Sequence, residues 1–163
     1  MKFVLLIVMM TMSLGAFSAN SAKTEPTQLD DLIRGELAAL QAYDQALKDV
    51  KEPKQREKLQ AIRNNHEKAV SKLSKYVASK PELLEDTKDA GPWGTFAKAW
   101  TKTRSFTGNE GVLKALIDGE EHGIEEYQEA LDDDSVPKEL KQAIKSDMLP
   151  QQKKHKESLN KMI

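Results

Sequence analysis

One phrase of this chain occurs twice. Leu32-Ile33-Arg34-Gly35-Glu36, with Tyr43 and Ala46-Leu47 behind it, returns as Leu116-Ile117-Asp118-Gly119-Glu120, with Tyr127 and Ala130-Leu131, 84 positions later and without a gap. Pro53-Lys54 matches Pro137-Lys138 at the same offset. His66, followed by Leu73, matches His155, followed by Met162, once five further residues are allowed in the second copy. A repeat of this length is two copies of one supersecondary unit. Each copy reads as a helix, a Pro-marked turn and a second helix. Ala, Glu, Lys, Leu and Gln abound, which favours helix over strand. The chain is therefore predicted to be all-α.

Residues 1–22 stand apart from the repeat. Lys2 precedes an apolar run over 3–17, and small residues follow at Ala16, Ser18, Ala19 and Ser21. That order is the pattern of a cleaved secretory signal. The run is short for a membrane span, which takes about 20 apolar residues. The expectation is a signal peptide over 1–22, cut between Ser18 and Ala22. The mature domain, 23–163, is then exported and periplasmic, with no membrane attachment after cleavage. There is no Cys, so no disulfide is available and packing carries the fold. A net charge of −1 gives no global pull toward nucleic acid.

The mature chain divides into a hairpin over 27–78, a crossover over 79–111 and a hairpin over 112–163. Thr27 and Asp30 read as a capping box ahead of the first helix. Apolar residues then recur at steps of three and four, the spacing of one helical face. The first seam is Leu29, Ile33, Glu36, Leu40, Tyr43, Leu47 and Val50, and the second runs Leu59, Ile62, His66, Val70 or Ala69, Leu73 and Val77. The third is Leu113, Ile117, Glu120, Ile124, Tyr127 and Leu131, and the fourth Leu140, Ile144, Met148, Gln152, His155, Leu159 and Met162. Pro150 lies inside the fourth helix and should kink or split it, at about 3 kcal/mol unless the neighbourhood adapts. In the crossover, Trp93, Phe96, Ala97 and Trp100 fall at helical spacing and predict a short helix across the bundle. Lys98, Lys102 and Arg104 beside them are too few for a polybasic surface. Residues 107–111 read as a loop.

Each seam carries one ionisable side chain: Glu36, His66, Glu120 and His155. A lone carboxylate in a dry core is costly or takes up a proton, so four such groups at matched positions imply a shared centre. Two carboxylates and two imidazoles are ligand types of zinc, iron and manganese. Three arrangements fit. In one no metal binds: Arg63 pairs with Glu36 or Glu120, and His66, His155, Gln152 and the Tyr43 and Tyr127 hydroxyls complete a polar network. In another, Glu36, His66, Glu120 and His155 hold one metal. In the third two metals bind, with water or Glu67 filling in. Gly35 and Gly119 each cost a helix about 1 kcal/mol, so a close helix approach is their expected reason. His122, off the seam, reads as a surface histidine.

This pattern is similar to the ferritin-like superfamily, which includes rubrerythrins and bacterioferritins. Those proteins carry Glu followed seven residues later by Tyr on the first and third helices, and Glu-x-x-His on the second and fourth. Glu36 with Tyr43 and Glu120 with Tyr127 match the first element, and His66 and His155 match the histidine of the second. More narrowly, residues 28–163 resemble small bacterial four-helix-bundle proteins of unknown function in that superfamily, through the Gly-Glu pairs and the Trp-containing link. The resemblance implies a ferritin-like up-down four-helix bundle of two repeated hairpins with a short crossover helix. It also implies a di-metal site bridged by glutamates three residues before each histidine, where this chain has Arg63 and Gln152.

The functional expectation is an exported bundle with a degenerate metal site. It would act as a non-catalytic stress or interaction protein, binding an unidentified protein partner or itself. The alternative is a metal-binding protein, mononuclear or di-iron, with oxidase-type activity. No Gly-rich phosphate loop, nucleophile elbow, Cys-based metal spacing or nucleic-acid motif occurs, which sets aside kinase, hydrolase and DNA-binding readings.

Overall fold

A computed structural model describes residues 27–76 and 108–163, and every regular element among them is helical. Helix α1 is Gln28–Asp49, α2 is Pro53–Leu73 and α3 is Gly108–Asp132. The fourth rod is continuous but changes pitch: α4 (Lys138–Ala143), a π-turn (Ile144–Met148) and α5 (Leu149–Asn160).

Local chemistry sets the boundaries. The Thr27 hydroxyl accepts from the Asp30 N–H at 3.3 Å while the Thr27 N–H donates to Asp30 Oδ2 at 2.8 Å, so the capping box forms. At the other end of α1, Arg56 reaches back to the carbonyls of Leu47 and Val50, which have no helical donor of their own. Glu52 starts α2 by accepting from the N–H groups of Lys54 and Gln55 at 3.1 and 2.5 Å, with Pro53 in the first turn. That helix stops at Leu73, short of the expected 78, because Ser74 Oγ bonds back to the Val70 carbonyl at 2.7 Å and the chain enters a turn.

The loop expected over 107–111 is instead, from Gly108 onward, the first turn of α3. Gly108 takes φ 58°, a left-handed conformation that glycine adopts at little cost, and the chain enters the helix there. An ion pair between Glu110 and Lys114 at 2.6 Å supports this turn. In the fourth rod the break expected from Pro150 takes the form of the π-turn just before it. The Leu149 N–H bonds to the Ile144 carbonyl, five residues back, so the ladder has already shifted when the proline, with no N–H to give, arrives.

Neighbouring helices run antiparallel. Glu36 meets His66 and Asp44 meets Arg63 between α1 and α2. Tyr43 meets Glu120 and Tyr127 meets Glu36 between α1 and α3. Glu121 meets Lys156 between α3 and α5, and Gln55 meets Met162 near the far end of α2. Helix α1 packs broadly on α2 and α3, and α3 on α5, whereas α2 and α5 touch at few places. A cleft of about 180 Å³ opens between those two, lined by Asn65, His66, Lys72, Gln151 and His155 among others. Asn109 donates to Gln55 at 2.7 Å, so α3 begins at the end of the bundle where α2 begins. The end of α2 and the start of α3 therefore lie at opposite ends of the bundle. The crossover helix expected around Trp93 and Trp100, and the signal segment, lie outside the described residues. No helix among the described residues is long and apolar enough to cross a membrane.

The apolar seams collect into two clusters. One holds Ile33, Leu73, Tyr127, Leu140, Ile144 and Met148. The other holds Tyr43, Val50, Leu59, Ile62, Leu113 and Leu159. The polar seam members lie at the level between them.

Candidate metal centre

The four ionisable seam residues meet between the two apolar clusters. Glu36, His66, Glu120 and His155 are 4%, 1%, 2% and 3% exposed. His66 is the hub. Its Nδ1 lies 2.8 Å from Glu36 Oε2 and its Nε2 3.1 Å from Glu120 Oε1. Each carboxylate also accepts from the tyrosine of the opposite half. Tyr127 donates to Glu36 Oε1 at 2.6 Å, and Tyr43 donates to Glu120 Oε1. The Glu-then-Tyr spacing thus places each hydroxyl on the other helix's acid rather than on its own.

The electrostatics follow from this wiring. Burial alone would lower the His66 pKa, but the Glu36 charge and hydrogen bonds to both carboxylates outweigh it and push it up to about 10. Burial alone would raise the Glu120 pKa, but the two histidines outweigh it and hold it down at about 2. His155, facing the carboxylate at 3.4 Å, and His66, hydrogen-bonded to it at 3.1 Å, both act in this direction. Burial, then the adjacent carboxylate charges, push Tyr43 and Tyr127 well above the usual phenol range. Both therefore keep their protons and donate.

His155 is wired differently. Its Nδ1 faces Glu120 Oε2 at 3.4 Å without making a hydrogen bond. Both of those atoms are buried and without a hydrogen-bond partner. Its Nε2 instead meets the side-chain nitrogens of Asn65 and Gln151, at 3.2 and 3.1 Å. The rings of His66 and His155 are 5.0 Å apart, centroid to centroid. One ligand atom each from His66, Glu120 and His155 lie within 4.8 Å of one another, so these three can hold a metal ion. The orphaned pair on Glu120 and His155 is what such an ion would satisfy, and two imidazoles with a carboxylate suit zinc or iron.

Arg63 does not join this centre. The expected pairing with Glu36 or Glu120 is replaced by ion pairs to Asp44 at 2.6 Å and Glu67 at 3.2 Å on the outer face. Arg63 precedes His66 by three residues, which leaves it rotated far enough to reach α1's flank, where Asp44 sits one residue past the seam. Glu67 is 65% exposed and held by Arg63, so it cannot supply a missing ligand. Gln152 does turn inward and is buried. A Cβ on Gly123 would lie 2.3 Å from Gln152 Nε2, so that glycine is where the amide finds room. Gly35 and Gly119 line, with Gly123, a cavity of about 20 Å³ along the α1–α3 seam. His122 lies off the centre, 3.5 Å from Glu126.

Sequence reasoning missed Asn65, Gln151, Asp44 and Gly123. The spacing did hold a signal for Gln151, which precedes His155 by four residues and so shares its face. Asn65 had none, since a residue adjacent to His66 ordinarily points elsewhere.

Among the described residues, helical packing around a buried, cross-wired set of acids, imidazoles and phenols defines the class: a helical bundle with an ionisable core. The chain belongs to a family described as a domain of unknown function, DUF2383, whose profile matches residues 25–133. That span takes in Glu36, His66 and Glu120, while His155 lies beyond it. No curated protein and no solved structure matches the chain.

Proposed function

We propose that this is an exported, ferritin-like bundle that binds one divalent metal ion, iron, manganese or zinc, in place of a di-metal centre. The observation that carries the reading is the buried pair Glu120 Oε2 and His155 Nδ1, which face each other with no hydrogen-bond partner. His66 Nε2, Glu120 and His155 Nδ1 would be the ligands. Glu36 would hold His66 through Nδ1, the carboxylate–histidine arrangement that fixes ring orientation and raises ligand basicity. One ion rather than two follows from the missing bridging carboxylates: Gln152 is neutral and Arg63 faces outward. The outward turn of Arg63 also removes the cation that would have excluded a metal. A bound ion would supply Lewis acidity, and the cleft beside His155 would give it access.

The test is metal content and Zn²⁺ titration of untagged protein. One equivalent is expected for the wild type, and none for Glu120→Gln. Metal that stays sub-stoichiometric, or is unchanged by Glu120→Gln, refutes the reading. Export rests on the residue 1–22 pattern, and an uncleaved chain in the cytoplasmic fraction would refute that part.

A second reading has its own support. His66 is hydrogen-bonded at both nitrogens, so a proton can fill the role of the metal and the centre can serve as a polar tie in a non-catalytic bundle. The same titration separates the two.

A further inference from the structure

We infer that Asn65 and Gln151 are positioning residues that decide which ring nitrogen of His155 carries the proton, and so whether that histidine is available to a metal. The inference rests on the single-metal reading above. Two amide nitrogens, one from α2 and one from α5, lie 3.2 and 3.1 Å from His155 Nε2. Side-chain amide nitrogens only donate, so Nε2 must present its lone pair to them. A neutral imidazole then carries its proton on Nδ1, the nitrogen facing Glu120. In that tautomer Nδ1 has no lone pair for an ion.

Turning the two amides reverses the arrangement. Their oxygens would accept from an Nε2–H, and Nδ1 would present its lone pair toward Glu120 and His66. The proton count of the ring is unchanged: one proton leaves Nδ1 and one is taken up at Nε2. Both amides line the cleft between α2 and α5 and are only half-buried, so they have room to turn and solvent to exchange with. His66 has no such choice, because carboxylates hold both of its nitrogens and neither carboxylate can turn a donor toward it. The two histidines thus differ in kind: His66 has one fixed role, and His155 is conditional on its amide neighbours.

Long-range ¹⁵N–¹H NMR of the metal-free protein reads the tautomer directly. His155 is expected as the Nδ1–H form, and the Nε2–H form overturns the inference. In Asn65→Asp and Gln151→Glu, tested separately, a carboxylate accepts from the ring. The metal-free proteins should then carry a proton on Nε2, as the wild type does not, and bind Zn²⁺ on the order of tenfold more tightly, a typical effect of a histidine's outer partner. Added negative charge alone would tighten binding without moving the ring proton, so affinity gain with an unmoved tautomer overturns the inference. Wild-type binding of one Zn²⁺ equivalent together with unmoved tautomers leaves the single-metal reading standing and removes the role of the amides. A wild type that takes up no Zn²⁺ removes both.

Discussion

The two halves of this molecule share a sequence phrase and use it differently. Glu36 and Glu120 are alike in one respect, each accepting from the tyrosine of the other half. The histidines diverge. His66 sits on a regular helix and joins both acids, whereas His155 follows a π-turn, faces only Glu120 and leans on amides at the cleft. One half supplies a fixed ionic hub and the other an adjustable arm. Two matched stretches of sequence can keep their acids and phenols in register while the helices that follow them take separate roles.

The largest expected effect tests that asymmetry directly. In metal-free protein at neutral pH, His66→Ala leaves two buried carboxylates without their shared partner and should cost about 3–5 kcal/mol. His155→Ala breaks no formed hydrogen bond to an acid and should cost less than half as much. Urea unfolding of the two variants measures the gap, and equal losses would mean that the halves are energetically alike. The matched part of the comparison comes next. Tyr43→Phe and Tyr127→Phe each remove a hydroxyl from a buried carboxylate, at about 1.5–3 kcal/mol. The two should agree closely, and a large difference would show that the acids are not equivalent.

The hub also predicts a pH profile for the metal-free protein. His66 rises from 6.5 in the unfolded chain to about 10 in the fold, so its contribution is full below pH 6.5 and is lost as pH rises through 10. Glu120 falls from 4.5 to about 2, so its contribution is full above pH 4.5 and is lost as pH falls through 2. Together they give greatest stability between these limits, with an alkaline decline that should flatten in His66→Gln. Chemical unfolding at a series of pH values reads it out, and an alkaline arm unchanged in His66→Gln would contradict the hub.

Much of this was legible in the residues. The helical seams, the capping box and the convergence of Glu36, His66, Glu120 and His155 follow from periodicity and from the cost of burying charge alone. Helix ends were less legible, because Gly108 reads equally as a loop residue and as the left-handed entry to a helix. The direction of Arg63 is open in the sequence for a different reason. Its distance from His66 in sequence places it at the border of the seam, and only the presence of Asp44 on the flank of α1 decides which way it turns. Asn65 is illegible for a related reason, and the spacing of Gln151 before His155 is only a partial signal: their shared role depends on a cleft between α2 and α5 that no single helix encodes.

The smallest expected effect links two of these side chains. At the offset of the repeat, Gly123 corresponds to Ala39, and at the spacing before the histidines Gln152 corresponds to Arg63. Arg63 turns outward, and its half has an alanine on the partner helix. Gln152 turns inward, and its half has a glycine against which its amide rests. The glycine and the glutamine are then one co-adapted choice. Gly123→Ala alone should change stability by less than about 1 kcal/mol, since the helix-propensity gain is offset by displacing the amide tip. With Gln152→Ala already present, the same change should stabilise by about 1 kcal/mol. The double-mutant cycle isolates the coupling. A coupling near zero would mean that Gln152 is free to move aside, and the inward packing that distinguishes the second half would carry no energetic weight.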